Sequence, residues 1–109
     1  MPENHEFTVA FDVDGTLMGY NEELREEVCQ LLIAFLSSGF QVVVWSGGGR
    51  DRALSVWHKI VRKYELMDGM SDRVAMVVCK FKDDSKPDLT IDDQQVDLGK
   101  FNVCWRPKC

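Results

Sequence analysis

The sequence predicts an α/β fold with a central, mostly parallel β-sheet, on the strength of three observations. Short apolar segments alternate with segments whose apolar residues recur at helical spacing, in the order strand, helix, strand, helix, strand. This order is typical of right-handed βαβ units. The segment "FQVVVW" (40–45) is almost wholly apolar, as expected of a parallel strand buried on both faces. Finally, a chain of 109 residues is long enough for one core and too short for two. We therefore expect one domain over residues 1–109, a Rossmann-like three-layer sandwich.

The first half of the chain supplies a strand, a helix and a second strand. "FTVAF" (7–11) is the first strand. Asn21 is the expected N-cap of the first helix, with Glu22 and Glu23 in the first turn, where the helix dipole favours anions. Gly39 suits the end of that helix, and the second strand follows directly.

A second helix is expected from about Asp51. Its buried face would comprise Ala53, Trp57, Ile60, Val61 and Tyr64, and its water-facing side Arg52, Lys59, Arg62 and Lys63. Further strands are expected at "RVAMVVC" (73–79), "DLTI" (88–91) and "FNVCW" (101–105). The connection from residue 79 to residue 88 is too short for a crossover helix, so either the third strand is short or one sheet face is incompletely covered.

Composition and charge narrow the classes of function. The formal charge is −5 and the longest basic cluster is "RPK" near the end, which disfavours nucleic-acid binding by bulk charge. Apolar runs are far shorter than a membrane span, and no charged-then-apolar leader opens the chain, so we expect a cytoplasmic protein. Three of the four cysteines (Cys29, Cys79 and Cys104) lie in apolar stretches and are expected to be buried free thiols, whereas Cys109 is expected to be exposed.

Polar residues follow three of the predicted strands at the point where each ends. Asp12 and Asp14 follow the first strand, Ser46 and a run of glycines follow the second, and Asp92 and Asp93 follow the fourth. Ligands of open parallel sheets bind at the carboxyl ends of the strands. The sequence therefore predicts that these groups meet at one edge of the sheet.

Residues of these types, placed together, could bind a cation beside an oxyanion. Four carboxylates cannot share one edge in ionised form without a compensating cation, and oxygen-only ligands suit Mg²⁺. Ser46, the amides of residues 47–49 and the following helix N-terminus would form a phosphate seat. Taken singly, the three motifs are also compatible with an acidic turn, a flexible loop and a solvated acidic pair. Their order, each after an apolar strand, favours a site.

These motifs resemble those of the haloacid dehalogenase superfamily of phosphatases. "FDVDGTL" is similar to the first motif of that family, "VVVWSGG" to the second and "LTIDD" to the fourth. The resemblance spans residues 7–93 and implies a haloacid-dehalogenase-like fold and phosphomonoester hydrolysis with Mg²⁺ as cofactor.

The resemblance also implies roles for single residues. Asp12 would attack phosphorus and form an aspartyl-phosphate, and Asp14 would act as general acid and base while its backbone carbonyl contacts the metal. Residues i and i+2 of a strand share a face, so both carboxylates would address one phosphorus. An Asp at the second position resembles the phosphatases rather than the dehalogenases. The expected substrate-binding residues are Thr16, Ser46, Gly47 and Gly48, and the expected metal site comprises Asp12, Asp14, Asp92 and Asp93.

The lysine of the third family motif has two candidates. Lys86 resembles the lysine that short members place shortly before the acidic pair, but it lies only six residues before Asp92. At about 3.3 Å per residue, an extended path would carry it towards the other edge of the sheet. Lys80, directly after the third predicted strand, begins closer to the site, so both remain open.

The sequence leaves no room for the lid domain that many family members insert. "MGYNE" and residues 67–73 are too short to form one. An open site suggests a phosphate carried by a large substrate, a nucleic-acid end being one option, or a small substrate enclosed within a homo-oligomer.

Two readings from other classes remain beside the phosphatase. A phospho-acceptor receiver module also gathers acids, Mg²⁺ and a lysine at strand ends, but its acceptor Asp follows the third strand, where this chain has Cys79 and Lys80. A catalytically idle phosphate-binding protein of the same fold is the other. The pair Asp12 and Asp14 argues against it, because adjacent carboxylates are costly without a metal.

Overall fold

A parallel sheet and two helices make up the described fold. The computed structural model describes residues 7–19, 21–66, 74–76, 87–94 and 97–105. In chain order the elements are β1 (Thr8–Asp12), α1 (Glu26–Ser37), β2 (Gln41–Trp45), α2 (Arg50–Tyr64), β3 (Val74–Met76), β4 (Leu89–Asp92) and β5 (Phe101–Cys104). The predicted α/β class with a parallel sheet is confirmed.

The strands lie in the order β3-β2-β1-β4-β5, and the pairings that join them are all parallel. β1 is central, with β2 on one side and β4 on the other. In this register Asp12 is level with Trp45, and Phe11 is level with Ile91. The carboxyl ends of β1, β2 and β4 therefore lie side by side.

Both helices pack on one face of the sheet. Val9, Phe11, Val42 and Val44 point to that face and form the main core with helix residues, among them Leu32 and Leu36 of α1 and Trp57 and Ile60 of α2. The opposite face buries Ala10, Val43 and Trp45, with Leu98 packed against them. The described residues include no helix on that face, so the third layer of the expected sandwich stays a prediction.

The beginning of α1 differs from the expectation. Asn21 does not cap the helix, which begins at Glu26. Backbone groups of the preceding loop are bonded elsewhere: the Gly19 amide donates to the Glu23 carbonyl at 2.8 Å, and the Arg25 amide to the Leu17 carbonyl at 2.8 Å. Because these bonds within the loop and to the preceding turn satisfy backbone groups, residues 21–25 form a loop rather than a first helical turn.

The remaining boundaries lie close to those expected. α1 ends at Ser37 and is followed by Gly39 at φ +93°, as predicted. α2 begins one residue earlier than expected, at Arg50, and its Val61 and Tyr64 are partly rather than fully buried. Of the third strand, residues 74–76 are described, and the connection to β4 lies outside the described residues up to residue 86.

Two further expectations can be compared with the structure. Cys29 is buried as expected, but Cys104 is exposed, because β5 presents all its residues to solvent at the edge of the sheet. Cys79 and Cys109 lie outside the described residues. Neither described helix combines the length and the apolar character needed to cross a membrane.

Candidate functional site

Three neighbouring strands deliver the site residues to one edge of the sheet. Asp12 is the last residue of β1, Ser46 directly follows β2, and Asp92 is the last residue of β4. All three side chains are buried, with residue exposures of 4%, 1% and 1%. Burial of polar groups at the ends of adjacent parallel strands is the arrangement expected of a ligand site in an α/β sheet.

The carboxylates of Asp12, Asp92 and Asp93 form one cluster. One oxygen from each lies within 4.8 Å of the others. Residues from two distant parts of the sequence thus contribute to a single acidic group, as the sequence predicted. Oxygen donors at this spacing could hold a divalent cation, since the span across an octahedral Mg²⁺ sphere is about 4 Å.

A tight turn fixes the Asp12 side chain. Gly15 adopts φ +87°, which a residue with a side chain rarely does, and the Leu17 amide donates to the Asp12 carbonyl at 3.2 Å. The turn places Thr16, wholly buried, so that its hydroxyl donates to Asp12 Oδ2 at 3.2 Å. Thr16 therefore holds the carboxylate, and its expected contact with a phosphoryl group stays a prediction.

Asp14 lies apart from the acidic cluster. Its side chain is 49% exposed, and Arg52 Nη2 and Nε donate to its Oδ1 at 2.7 and 3.3 Å. β1 ends at Asp12, so the alternation of a strand does not extend to Asp14 and the two carboxylates do not share one environment. The expectation that its side chain joins the other three acids at a metal is not met among the described residues. The expected contact between the backbone carbonyl of Asp14 and the metal stays a prediction.

Arg52 is the charged residue that the sequence analysis missed. It was expected to face water, but its side chain is only 27% exposed and bridges Asp14 and Glu22, with Nη2 3.0 Å from Glu22 Oε2. Hydrogen bonds to Asp14 and then to Glu22 raise its pKa above the ordinary value. Helical periodicity places Arg52 next to the buried Ala53, at the border of the polar side of α2. It does not predict the contact with Asp14, because that contact depends on the turn after β1.

The glycine loop after β2 is partly closed on itself. The Gly48 amide donates to Ser46 Oγ at 2.9 Å, and the Gly49 amide donates to the Ser46 carbonyl at 3.1 Å. These two amides are therefore not presented to a ligand as the sequence suggested. Having accepted a hydrogen bond, the Ser46 hydroxyl retains its own hydrogen for donation.

The acidic pair after β4 is braced by the adjoining chain. The Gln94 amide donates to Asp92 Oδ1 at 2.9 Å, and the Trp105 amide donates to the Asp92 carbonyl at 2.6 Å. The Cys104 thiol lies 3.7 Å from the Asp93 carbonyl oxygen. The Cys104 thiol at the end of β5 and the Trp105 amide after it thus help to hold the pair at the edge of the sheet.

Parts of two sequence predictions, the third-motif lysine and the absence of a lid, fall outside the described residues. Lys80 and Lys86 both lie outside the described residues, so the choice between them stays open. Between β1 and α1 the described residues form only a turn and a short loop, with no inserted domain. Residues 67–73, the second place where the sequence predicts that a lid is absent, lie outside the described residues.

Comparison of the chain with protein-family models, curated proteins and solved structures finds no match. The site must therefore be interpreted from its own geometry. That geometry brings together a buried carboxylate held by a hydroxyl, two further acids with an oxygen within 4.8 Å of it, and a buried serine on a glycine loop.

Proposed function

We propose that the protein is a Mg²⁺-dependent phosphomonoester hydrolase that works through an aspartyl-phosphate on Asp12. The observation that carries the proposal is the convergence of Asp12, Asp92 and Asp93 within 4.8 Å at the carboxyl edge of a parallel sheet. Ser46 on the adjacent strand end adds a hydroxyl suited to an anion. The resemblance of the three motifs to those of haloacid dehalogenase phosphatases supports the same function. It also supports membership of that superfamily and a third layer, of helix or loop, on the sheet face opposite the two helices.

The donors fit Mg²⁺ better than a softer metal. Asp12, Asp92 and Asp93 supply carboxylate oxygens, and the described residues place no histidine or cysteine sulfur in the group. These three residues would hold the ion, which would neutralise charge on the phosphoryl oxygens and on the nucleophile. Burial of Asp12 and Asp92 makes this neutralisation more valuable than at an exposed acidic surface.

In the first half of the reaction, an Asp12 carboxylate oxygen attacks phosphorus while the bond from phosphorus to the ester oxygen breaks. The hydrogen bond from Thr16 to Asp12 Oδ2 orients the carboxylate for this attack. Ser46 would donate its hydroxyl hydrogen to a phosphoryl oxygen. Asp14 would give a proton to the departing alkoxide, a contribution of roughly 10²–10⁴-fold for a well-placed acid.

In the second half, water attacks phosphorus of the aspartyl-phosphate. Asp14, now a carboxylate, would take a proton from that water, and the bond between phosphorus and Asp12 breaks. Inorganic phosphate leaves, Asp12 is again a carboxylate, and Asp14 is again a protonated carboxylic acid. Partial exposure of Asp14 fits this role, because its 49% exposed side chain can meet water and an alcohol that leaves towards solvent.

The open site bears on substrate size. With no inserted domain in the described loop between β1 and α1, we propose a phosphate carried by a macromolecule, such as a nucleic-acid end, or a small ester enclosed in a homo-oligomer. We also propose that the protein acts in the cytoplasm. A screen of phosphorylated metabolites and of 3′- and 5′-phosphorylated oligonucleotides would identify the class.

Turnover of p-nitrophenyl phosphate tests the proposal directly. The wild-type chain should release p-nitrophenol with Mg²⁺ and lose that activity in excess chelator. Asp12→Asn should abolish turnover, because an amide is not a nucleophile of comparable strength. Asp51→Asn is a matched control, since this exposed carboxylate in the first turn of α2 lies outside the cluster, and it should retain wild-type rates.

The outcomes separate the candidate functions. Activity that survives in Asp12→Asn contradicts the assignment of the nucleophile. A stable phosphorylated chain without turnover, formed from a small phosphodonor, indicates a phospho-acceptor module instead. Binding of Mg²⁺ and phosphate with neither turnover nor a covalent adduct indicates an idle member of the fold.

A further inference from the structure

β5 lies at the edge of the sheet, with β4 on one side and no described strand on the other. The Phe101 and Trp105 amides both donate to carbonyls of the β4 segment, at 2.9 and 2.6 Å. Successive residues of a strand direct their backbone groups to opposite sides, so the amides and carbonyls of Asn102 and Cys104 point away from β4. These four groups have no partner among the described hydrogen bonds.

This edge lacks the features that normally keep a strand from pairing with another chain, such as a charged residue, a proline or a bulge. The segment "FNVCW" (101–105) contains neither a charged residue nor a proline, and no bulge interrupts its register with β4. Phe101 is 67% exposed and Val103 is 43% exposed. Lys100, directly before the strand, is paired with Asp88 at 3.3 Å. The edge is therefore open to a further strand.

A second β5 strand matches this edge in one antiparallel register. When Asn102 of each copy lies opposite Cys104 of the other, each such pair exchanges two backbone hydrogen bonds, four in all. The two-fold axis then passes between the two Val103 residues, and Phe101 of each copy faces Trp105 of the other. Apolar side chains meet apolar side chains and no like charges are opposed, as a self-complementary contact requires.

We propose that a second copy of this chain pairs antiparallel with β5, so that the two five-stranded sheets join into one across the Val103 pair. The register with β4 places Phe101 and Val103 on the same face as Leu89 and Ile91, the face that carries the helices. The two-fold axis is perpendicular to the sheet, so the exposed apolar side chains of both copies form one cluster on that face. This inference does not depend on the proposed function.

The area of the contact sets its expected strength. A fully buried aromatic side chain covers about 150–250 Å², and Phe101, which is 67% exposed, retains roughly two-thirds of that for a partner. Val103 and the backbone edge add less, so the two copies together bury less than the ~1,200 Å² of a stable interface. We therefore expect a reversible dimer with a dissociation constant of roughly micromolar order or weaker.

Sedimentation velocity over a series of protein concentrations tests the association. Wild type should shift from monomer to dimer as the concentration rises. Val103→Lys opposes two ammonium groups at the axis and should raise the dissociation constant roughly tenfold. Leu31→Lys is the matched control, since Leu31 is also an exposed apolar residue, at 37%, but lies on α1; it should dimerise as wild type does.

Two results of this measurement overturn the proposal. A wild-type chain that stays monomeric at every concentration would leave the edge to a strand of a different protein. Equal dimerisation of wild type and Val103→Lys would show that the copies meet through another surface.

Disulfide trapping tests the register and does not require the lysine variant to fold. In a chain with Cys79, Cys104 and Cys109 replaced by Ser, Val103→Cys should form a linked dimer with added oxidant. Directly opposed residues of this kind have Cα atoms about 4.5 Å apart, within disulfide range. A control chain that keeps Val103 and Cys104 should link far more slowly, since the two Cys104 residues lie diagonally, about 7–8 Å apart. Faster linking through Cys104, or none in Val103→Cys, overturns the proposed pairing.

Discussion

Asp12 and Asp14 differ in environment because β1 ends at the first of them. Asp12 is still in the strand, buried, and bonded by Thr16, whereas Asp14 follows a turn and meets Arg52 at the surface. In the proposed reaction, the buried Asp12 carboxylate is the nucleophile, and a cation would offset its charge and that of the neighbouring acids. A half-exposed carboxylate with a fixed partner suits proton exchange with solvent and substrate. In the proposed reaction, two residues of the same type would thus perform different steps.

Cys29 provides a test of burial at the scale of one residue. Its side chain is wholly buried, and desolvation raises the pKa of its thiol to about 12, with Lys63 opposing and Glu27 adding to the shift. The thiolate is the reactive form, so at pH 8 Cys29 should resist an aromatic disulfide reagent while Cys104, which is exposed, reacts. Mass spectrometry of the labelled peptides measures this, and equal labelling of both in the native chain would contradict the described core.

The same thiol implies a direction for stability against pH. Its folded pKa of about 12 lies above the unfolded value of 9.0, so the folded state favours the neutral thiol. The contribution is complete below pH 9 and is lost as the pH rises towards 12. Urea denaturation measures the free energy of unfolding of wild type and Cys29→Ala at pH 8 and at pH 10.5. The decrease in this free energy from pH 8 to pH 10.5 should be smaller for the variant, and equal decreases would exclude this linkage.

The sequence identified the candidate site residues but not their orientation. Asp12, Asp92 and Asp93 could be predicted to meet because each follows an apolar strand and parallel strands end at a common edge. The separation of Asp14 from them could not, since it depends on where one strand ends. Arg52 was missed because its partner is 38 residues away, and helical periodicity indicates only which side faces the core.

At the scale of an element, the end of α1 is set by local bonds. The Gly39 amide donates to the Leu36 carbonyl at 3.0 Å, the Phe40 amide donates to the Phe35 carbonyl at 3.1 Å, and the two rings pack 5.4 Å apart. This is a Schellman motif with its apolar contact. Such local chemistry can be predicted from sequence. The beginning of α1 could not, because the pairing of Met18 with Leu24 and the bond from Arg25 to Leu17 close a loop whose conformation no capping motif specifies.

Gly39→Ala tests the cost of the left-handed turn. Nothing lies within 4 Å of a Cβ built at Gly39, so the penalty comes from φ +93° alone. We expect a loss of about 1 kcal/mol in the free energy of unfolding, and a smaller loss for Gly39→Asn. Ser37→Ala, at an exposed position in the last turn, should lose nothing. Urea denaturation measures all three, and an unchanged Gly39→Ala would show that the motif is not held in solution.

At the scale of the whole molecule, the strand order makes the site. β1 lies between β2 and β4, so the first and fourth strands are neighbours although about 80 residues separate their acids. Alternation of strand and helix predicted a parallel sheet but not this order, because apolar patterns do not specify which strands are adjacent. A cation bound by these acids would link the end of β1 to the end of β4.

This linkage predicts that Mg²⁺ stabilises the folded chain. A ligand that binds only the folded state, at 100 times its dissociation constant, adds about 2.7 kcal/mol, which corresponds to a rise of roughly 10 °C in Tm for a chain of this size. Differential scanning fluorimetry with and without Mg²⁺ should show the rise in wild type and its loss in Asp92→Asn, since Asp92 lies in the cluster. Asp14→Asn and Asp51→Asn should keep it, because neither carboxylate lies in the cluster. An equal rise in all variants would show that the ion binds elsewhere, and no rise in wild type would remove the metal from the proposed reaction.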